Sequence, residues 1–251
     1  MKSAVDYSRV AEVYDALVSF EADIPLFLEL CGQVDGRVLE LMSGTGLVSL
    51  PLAAEGVDLT CVDSSPEMLQ VLQSKLGAEG LKITVLEQDV TRLQFENTFD
   101  LALLPFNSFE ELVEIADRKA AIEAIYRALK PGGHFLCTLH NAPVAVKSLP
   151  QGPTVVAKAA IDEREISMLL DVRHDSSTGI VEGTETILER SSKGESLGRD
   201  DLPLRYVLIE EAEFRRLVQR TGFSISALFG DYDRSPFAPN TSPSMIWTLQ
   251  K

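Results

Sequence analysis

His140 is the residue best placed in this sequence to move a proton. It follows the segment 134–139, which is predicted to be a strand. Because an imidazole titrates near neutral pH and a strand end opens onto a cleft, a histidine here can act as a general base. The alternative is a histidine held by a backbone partner, with no part in the chemistry. The sequence leaves both interpretations open.

Two glycines mark a second chemical feature. Gly44 and Gly46 follow the segment 38–41, which is predicted to be a buried strand, and they precede a predicted helix. Glycine allows another group to come against the backbone, and the free amides at a helix start attract anions or carboxylates. A cofactor is therefore expected over this turn. Glu40 would repel a pyrophosphate there, but it could accept hydrogen bonds from an ammonium group.

Asp63 closes a second predicted strand and stands nineteen residues after Gly44. This is close to the spacing of roughly 20 residues at which nucleotide-binding folds place a carboxylate on ribose hydroxyls. A plain strand-end cap is the alternative. Ser65 and Pro66 are predicted to begin the next helix. Met68, inside that helix, could flank an adenine, but the core is the favoured place for it.

These residues belong to an alternating pattern of strands and helices. Strands that alternate with helices predict a parallel, doubly wound sheet, which binds its ligands at the carboxyl ends of the strands. The two final strands are too close for a crossover helix and are expected to be antiparallel neighbours. The predicted fold class is therefore α/β, a Rossmann-like seven-stranded sheet whose last strand is antiparallel. Its strands are predicted at 38–41, 57–63, 83–86, 99–104, 134–139, 223–229 and 245–249.

The composition changes between residues 151 and 210. Apolar and polar residues alternate at 166–173, and turn signals at 176–179 and 191–194 separate this segment from two further predicted strands. The pattern predicts a small antiparallel β insertion of three strands, which forms a lid over the cleft or a dimer surface. It lies within a single domain that spans residues 1–251.

The N-terminal segment 6–17 is predicted to be a helix. Val10, Val13, Tyr14 and Leu17 lie on one face of it at helical spacing. A tyrosine on an apolar face is often buried with its hydroxyl group satisfied, so a packing role for Tyr14 is the simplest interpretation.

Four short motifs occur in a fixed order along the chain. They are Glu-Leu-Met-Ser-Gly-Thr-Gly at 40–46, Pro-Phe-Asn-Ser at 105–108, Leu-Lys-Pro-Gly-Gly at 129–133, and Gly-Asp-Tyr-Asp at 230–233. Together they resemble the class I S-adenosylmethionine-dependent methyltransferases, in particular the bacterial enzymes that act on small molecules. The resemblance is ordered over residues 7–140 and extends less closely to the end of the chain.

The resemblance implies S-adenosyl-L-methionine as cofactor and transfer of its methyl group by in-line attack of an acceptor nitrogen or oxygen. In the family, an acid after the third strand binds the adenine amino group and the next backbone amide reads the ring; Asp89 and Val90 hold these positions. His140 and Tyr14 are the catalytic candidates, and Tyr14 would also contact the methionyl end. The other cofactor-binding candidates are Glu40, Gly44, Thr45, Gly46, Asp63, Ser64, Met68, Pro105 and Phe106. The substrate-binding candidates are Asn107, Phe109, Tyr206 and Tyr232.

The composition limits the partners. A formal net charge of −15, from 38 acidic and 23 basic residues, argues against nucleic acid. No apolar run is long enough for a membrane span and no leader segment is recognised, so a cytoplasmic protein is expected. Cys31, Cys61 and Cys137 are expected to be reduced core thiols, with no metal site. The predicted partners are a small-molecule methyl acceptor and, through the β insertion, a second copy of the chain.

Three alternatives stay open at this level. The same fold and cofactor could serve a reaction other than methyl transfer, or the acceptor could be a peptide nitrogen. A nicotinamide enzyme is a third possibility, weakened by Ser49 in place of the third glycine and by Glu40. The acceptor, its reacting atom and the oligomeric state depend on segments that vary within one fold, so the sequence does not choose them.

Overall fold

The computed structural model describes residues 10–18 and 20–251, without the side chain of Glu12. The first four residues of the helix predicted over 6–17 therefore lie outside the described residues. The helices are α1 (Ala11–Leu17), α2 (Ile24–Gly32), α3 (Ser49–Ala54), α4 (Pro66–Glu79), α5 (Ile115–Ala128), α6 (Ala142–Ser148) and α7 (Glu211–Thr221). The strands are β1 (Val38–Leu41), β2 (Leu59–Asp63), β3 (Thr84–Glu87), β4 (Phe99–Leu104), β5 (Leu129–His140), β6 (Thr154–Ile161), β7 (Arg164–His174), β8 (Ile180–Ser191), β9 (Ser196–Val207), β10 (Ser224–Phe229) and β11 (Ser244–Gln250).

Seven of these strands form one sheet in the order β10-β11-β5-β4-β1-β2-β3. The five strands from β5 to β3 are parallel, and β11 runs antiparallel to both β5 and β10. The predicted fold class is therefore confirmed. The chain passes from β1 outward to β3 and then returns to β4 on the other side of β1. This change of direction opens a crevice at the carboxyl ends of β1 and β4.

The sheet is covered on both faces, as a parallel sheet must be. Leu39 and Leu41 of β1 point into a core formed with α5 and α7, whereas Val38 points into a core formed with α2, α3 and α4. All four residues of β1 are buried, which matches the nearly continuous apolar sequence of this strand. In the described part of the chain, no helix is long and apolar enough to cross a membrane.

The turn predicted at 130–133 lies inside β5. Phe99 pairs with Leu129 and Leu101 pairs with His134, so four residues of β5 loop out between two pairs of the ladder. Gly132 has a φ of 82° within this loop. The turn chemistry was therefore recognised correctly, although the strand begins before the turn.

A second sheet of four antiparallel strands follows β5, in the order β6-β7-β8-β9. The sequence predicted three strands here and missed β6, because Val-Val-Ala-Lys-Ala-Ala has no alternation of apolar and polar residues. One face of this sheet packs on α1, where Val10, Val13 and Leu17 contact Ile166, Ile187 and Leu202, among others. The helix α1 therefore lies between the two sheets, and we refer to β6–β9 as the roof.

Candidate active site

The carboxyl ends of β1, β2, β4 and β5 meet at one edge of the large sheet, and the glycine turn lies there. Gly46 has a φ of 89°, and a Cβ atom added to it would lie 2.3 Å from Cδ1 of the fully buried Leu72. Gly44 has a φ of 54°, but a Cβ there would meet no atom within 4 Å. Gly46 is therefore required for packing, whereas Gly44 faces open space that a ligand can occupy.

Asp63, the last residue of β2, holds this turn. Its Oδ2 accepts a hydrogen bond from the Gly44 amide at 2.8 Å, and its Oδ1 accepts one from the Ser65 amide at 2.9 Å. Burial raises the pKa of the carboxyl group, and the amides of Ser65, Gly44 and Ser64 oppose this shift. Each oxygen keeps one lone pair, so Asp63 can cap the turn and still accept two hydroxyl groups of a ribose.

Asp89 lies two residues after the end of β3. It begins a short 3₁₀ helix, and its Oδ1 accepts hydrogen bonds from the amide and the hydroxyl group of Thr91 at 2.8 Å and 2.7 Å. Its Oδ2 remains available for an adenine amino group. Val90, the next residue, is buried, so its side chain belongs to the core and only its backbone amide could read the adenine ring. Met68 in α4 is also buried, as a core residue is expected to be.

Glu40 of β1 links the strand before the turn to the start of α3 after it. The side chain is buried, and its Oε2 accepts a hydrogen bond from the Ser49 hydroxyl group at 2.6 Å and a longer one from Cys61 Sγ at 3.6 Å. Burial raises the pKa of this carboxyl group to about 7. The same Ser49 replaces the third glycine of a dinucleotide fingerprint, so its hydroxyl group has a specific structural use here.

The helix α1 is fastened to the same turn. Asp15 accepts a hydrogen bond from the Thr45 hydroxyl group and forms an ion pair with Lys75, whose Nζ also donates to the Thr45 carbonyl group at 2.8 Å. Tyr14 is the neighbouring residue of α1. Burial, followed by the charges of Glu111, Glu185, Asp15 and Asp63, raises the pKa of Tyr14. Tyr14 therefore lies within electrostatic reach of both the glycine turn and the roof.

His140 ends β5 and forms a pair with a buried acid that the sequence analysis did not identify. Its Nδ1 lies 2.6 Å from Glu110 Oε2, and its backbone amide donates to Glu110 Oε1 at 3.1 Å. Glu110 is 1% exposed, whereas the His140 side chain is 41% exposed. Burial lowers the pKa of His140, but the charge and the hydrogen bond of Glu110 raise it by more, so the pKa lies above its ordinary value.

The second ring nitrogen of His140 faces the cleft and Asn107. Nε2 lies 3.3 Å from Nδ2 of Asn107, and the ring of Tyr206 in β9 lies 6.3 Å away between centroids. Asn107 adopts a φ of 59°, and its backbone N–H donates a hydrogen bond to the Thr138 hydroxyl group. Burial and the charge of Glu110 raise the pKa of Tyr206 to about 12. The structure thus brings His140, Asn107 and Tyr206 together, as their predicted roles require.

The exit of β4 also carries aromatic residues. Pro105 is buried, and Phe106, with a φ of 58°, forms an aromatic cluster with Phe20 and Tyr232. Phe109 corrects the prediction of a substrate contact, because it is fully buried in the core with its ring 5.5 Å from that of Phe214. Phe106 and Asn107 both have positive φ values, and Phe109 packs into the core after this change of chain direction.

Several buried polar atoms around this cleft have no hydrogen-bond partner within the described chain. They include Ser43 Oγ in the glycine turn, Asn107 Oδ1 at the exit of β4, both carboxylate oxygens of Asp23 and Oε1 of Glu185. Buried polar atoms are normally paired, so a ligand with several donors and acceptors is expected among them. S-adenosylmethionine fits this set, because it carries an ammonium group, a carboxylate and two ribose hydroxyl groups.

Three buried acids of the site, Glu110, Asp23 and Glu185, were not identified from the sequence as site residues. Each is one of 38 acidic residues, and neither motif nor periodicity separates it from the acids on the surface. Their common signal is the burial of a carboxyl group, which only the folded chain reveals.

The comparisons with known proteins agree with this geometry. A family model described as a methyltransferase domain matches residues 38–133, which contain the glycine turn and the exit of β4. A putative methyltransferase of Bacillus subtilis, YqeM, is 26% identical over 98% of this chain and 97% of its own length. The cypemycin N-terminal methyltransferase of a Streptomyces species is 33% identical over 49% of this chain and 51% of its own length.

Solved structures share the whole fold. The methyltransferase CcbJ from Streptomyces caelestis superposes with a TM-score of 0.81 at 21% identity, over 99% of this chain and 98% of its own. The match therefore includes the roof as well as the large sheet. Residues 38–133 therefore match a methyltransferase domain, and the fold is that of solved methyltransferases. Together with the ordered motifs, this supports an S-adenosylmethionine-dependent methyltransferase with S-adenosyl-L-methionine as its cofactor.

Proposed function

We propose that this methyltransferase acts on a nitrogen or oxygen atom of a small molecule, with His140 as the group that receives the acceptor's proton. The observation that carries this proposal is the pair of His140 and the buried Glu110 at the mouth of the cleft. The cofactor supplies an electrophilic methyl group on its sulfonium sulfur. What the protein must add is orientation of the acceptor, exclusion of water and a place for one proton.

The geometry of the pair suits a base. Glu110 accepts the hydrogen bond from Nδ1–H, so the lone pair of neutral His140 lies on Nε2, which faces Asn107 and Tyr206. When Nε2 takes up a proton, the buried carboxylate lies next to the new positive charge and stabilises it. Glu110 therefore positions the ring and raises its affinity for a proton, as a carboxylate does for histidine in other general-base systems.

Glu185 favours nitrogen over oxygen as the acceptor atom. It pairs with Leu170 and Leu202 across the roof, and directly paired residues share one face, so Glu185 lies on the face that covers α1 and the cleft. It is buried, its Oε1 has no partner within the described chain, and burial raises its pKa to about 7. An amine, which is positively charged in water, would supply the missing partner. It would then lose its proton to His140 before attack.

Oxygen remains the second candidate, and relatives exist for both atoms. The cypemycin enzyme is named for an N-terminal amine, and ubiquinone biosynthesis O-methyltransferases of Xanthomonas are 33% identical over 52% of this chain. We propose that the roof acts as a lid, which encloses a small acceptor between the two sheets and excludes water. If the acceptor were a peptide nitrogen, the end of that peptide would have to enter the space under the roof.

The test is methyl transfer from isotopically labelled cofactor to pools of small amines, their hydroxyl analogues and short peptides. We expect labelled amines, with one S-adenosylhomocysteine formed for each methyl group transferred. His140→Gln should lower kcat by about 10²- to 10⁴-fold without weakening cofactor binding. His134→Gln, six positions earlier in the same strand, is the matched control.

Four outcomes would contradict the proposal. Label found only in hydroxyl analogues would reject the preference for nitrogen, and label found only in peptides would reject a small-molecule acceptor. Full activity of His140→Gln would show that His140 is not the base. Cofactor consumption without any methylated product would indicate a different reaction on the same fold.

A further inference from the structure

The loop before α2 carries a buried acid to which no specific group of the cofactor has been assigned above. Asp23 is 0% exposed, and neither of its carboxylate oxygens has a hydrogen-bond partner in the described chain. The amide N–H groups of Asp23 and Ile24 lie near the carboxyl group, but neither forms a hydrogen bond with it. The residue stands at the N-cap position of α2 without capping the helix. Its burial is therefore not explained by local structure.

The described groups on which the charge of Asp23 acts are an acid, Glu40, and a tyrosine, Tyr232. The negative charge of Asp23 helps to raise the pKa of the Glu40 carboxyl group and the pKa of the Tyr232 hydroxyl group. The hydrogen-bond partners of Glu40 are the neutral Ser49 and Cys61. Two carboxyl groups are thus buried within electrostatic range of each other, and no basic group among the described residues is recorded as acting on either of them. Such an arrangement is costly unless a cation joins it.

Aromatic rings complete the environment of a cation. The ring of Tyr232 lies 5.4 Å from that of Phe20, and the ring of Phe20 lies 6.4 Å from that of Phe106. Phe20 lies three positions before Asp23, and Phe106 lies at the exit of β4. Aromatic faces attract cations in the same way as carboxylates do, although more weakly. The aromatic cluster of Phe20, Phe106 and Tyr232, whose Tyr232 feels the charge of Asp23, is therefore suited to a positively charged group.

The order of the strands indicates which group of the cofactor reaches this pocket. Asp89 follows β3 and Asp63 follows β2, so adenine and ribose placed on them lie over that side of the sheet. The rest of the molecule must then extend over β1 towards β4. The exit of β4 carries Phe106, which belongs to the same aromatic cluster as Tyr232, the residue on which the charge of Asp23 acts. The end that arrives there is the methionyl group.

We propose that Asp23 is a cofactor-binding residue that accepts a hydrogen bond from the α-ammonium group of the methionyl part of S-adenosylmethionine. The proposal uses the placement of the ribose on Asp63, and it is independent of the identity of the methyl acceptor. Glu40, held by Ser49 below the turn, contributes negative potential to the same group without having to contact it.

The test is calorimetric titration of Asp23→Asn and the wild type with three ligands. S-adenosylmethionine carries both the sulfonium and the ammonium group, S-adenosylhomocysteine keeps only the ammonium group, and 5′-methylthioadenosine has neither. We expect Asp23→Asn to bind the first two about 10- to 100-fold more weakly, because a charged hydrogen bond is lost. The affinity for 5′-methylthioadenosine should change by less than about threefold. Glu21→Gln, which removes an exposed acid two positions away, is the matched control.

The three ligands separate the possible results. Loss of affinity for S-adenosylmethionine alone would place Asp23 at the sulfonium group and overturn the proposal, as would an equal loss for all three ligands or no loss for any. Wild-type protein that fails to bind S-adenosylmethionine would question the cofactor itself, which is a distinct failure.

The melting temperature of the ligand-free protein provides a second readout. Burial raises the pKa of Asp23 to about 6. Above that pH the ligand-free protein holds a buried charge without a partner in the described chain, which destabilises the folded state. Asp23→Asn should therefore raise the melting temperature at pH 7.5 while it weakens cofactor binding. A lower melting temperature would indicate that Asp23 serves the fold, which contradicts a role reserved for the ligand.

Discussion

At the scale of single residues, the pair of Glu110 and His140 shows how burial and partnership determine a proton affinity. Burial raises the pKa of Glu110 even though His140 opposes the shift, and Glu110 in turn raises the pKa of His140. Glu110 keeps contact with the backbone amide of His140 as well as with its ring. The ring is thus oriented by two hydrogen bonds to one buried carboxylate.

Glu110→Gln should change the pH dependence of the reaction as well as its rate. A base must be neutral to act, so wild-type activity falls as the pH drops through the raised pKa of His140. Without the carboxylate, only burial remains, and it lowers that pKa. The acidic limb of the profile of kcat/KM should therefore move to lower pH, and the plateau should fall by about tenfold or more.

The measurement is kcat/KM against pH for the wild type, Glu110→Gln and Glu114→Gln. Glu114 is an exposed acid four positions away and serves as the control. An acidic limb that stays in place in Glu110→Gln would show that the limb belongs to another group. His140 would then not be the base that limits the reaction.

The same pair shows what the sequence could and could not predict about the site. His140 was predicted because its position depends only on recognising the end of a strand. Glu110 is thirty residues away from it and lies beside Glu111 in the sequence, yet only Glu110 is fully buried and paired with the histidine. Phe109 was assigned to the pocket because the backbone reversal at Phe106 and Asn107 could not be read from residue types.

At the scale of elements, the two glycines of the turn look alike in the sequence, but one is required for packing and the other for ligand access. Both glycines have positive φ values, but Gly46 packs against α4 through Leu72, whereas Gly44 borders open space. Asp63 accepts a hydrogen bond from the Gly44 amide, so the ligand-facing glycine is held in place by the same carboxylate that faces the ribose.

Alanine at each glycine should therefore produce a different defect. Gly46→Ala places a methyl group against a buried side chain, so unfolding in urea should show a loss of about 1–3 kcal/mol. Gly44→Ala should cost only about 1 kcal/mol for the positive φ, but it should weaken binding of S-adenosylmethionine by at least about tenfold, because the methyl group enters the ligand's space.

Urea titration and calorimetry on both variants provide the two readouts. Tight cofactor binding by Gly44→Ala would show that the ligand does not lie over this glycine. Unchanged stability of Gly46→Ala would show that Leu72 moves aside without cost.

The elements themselves were largely predictable, for identifiable reasons. Parallel buried strands such as β1 are short apolar runs that end at a glycine or an acid, and those signals are local. The β6 strand was missed because its apolar residues lack alternation, and its pairing with β7 is a tertiary feature. The contact between α1 (Ala11–Leu17) and the roof, which begins at Thr154, likewise joins segments that are far apart in the sequence.

At the scale of the whole molecule, the cleft lies between two sheets that meet through α1. The hydrophobic face of α1 packs on the roof, and its Asp15 binds Thr45 and Lys75 beside the glycine turn. A ligand on the turn therefore contacts a surface to which the roof is connected by packing. This arrangement supports the proposed role of residues 151–210 as a lid.

The roof also bears on the predicted dimer. The edge strand β6 pairs with β7 on one side only, and its Val155 and Val156 are 46% and 47% exposed. The register shifts between Val155 and Ala157, and such a bulge disfavours continuous pairing with another strand. We therefore expect two copies to associate through the apolar side chains of β6 rather than through an extended sheet.

Light scattering on a sizing column should give the mass of two 27.5 kDa chains for the wild type and of one chain for Val156→Lys. A lysine on an exposed edge strand disfavours association without disturbing the strand itself, so the melting temperature of the separated chains should change little. Leu197→Lys, on the opposite edge strand β9, is the matched control and should remain a dimer. A wild type that elutes as a single chain at about 100 µM would reject the dimer, and a dimeric Val156→Lys would place the interface away from β6.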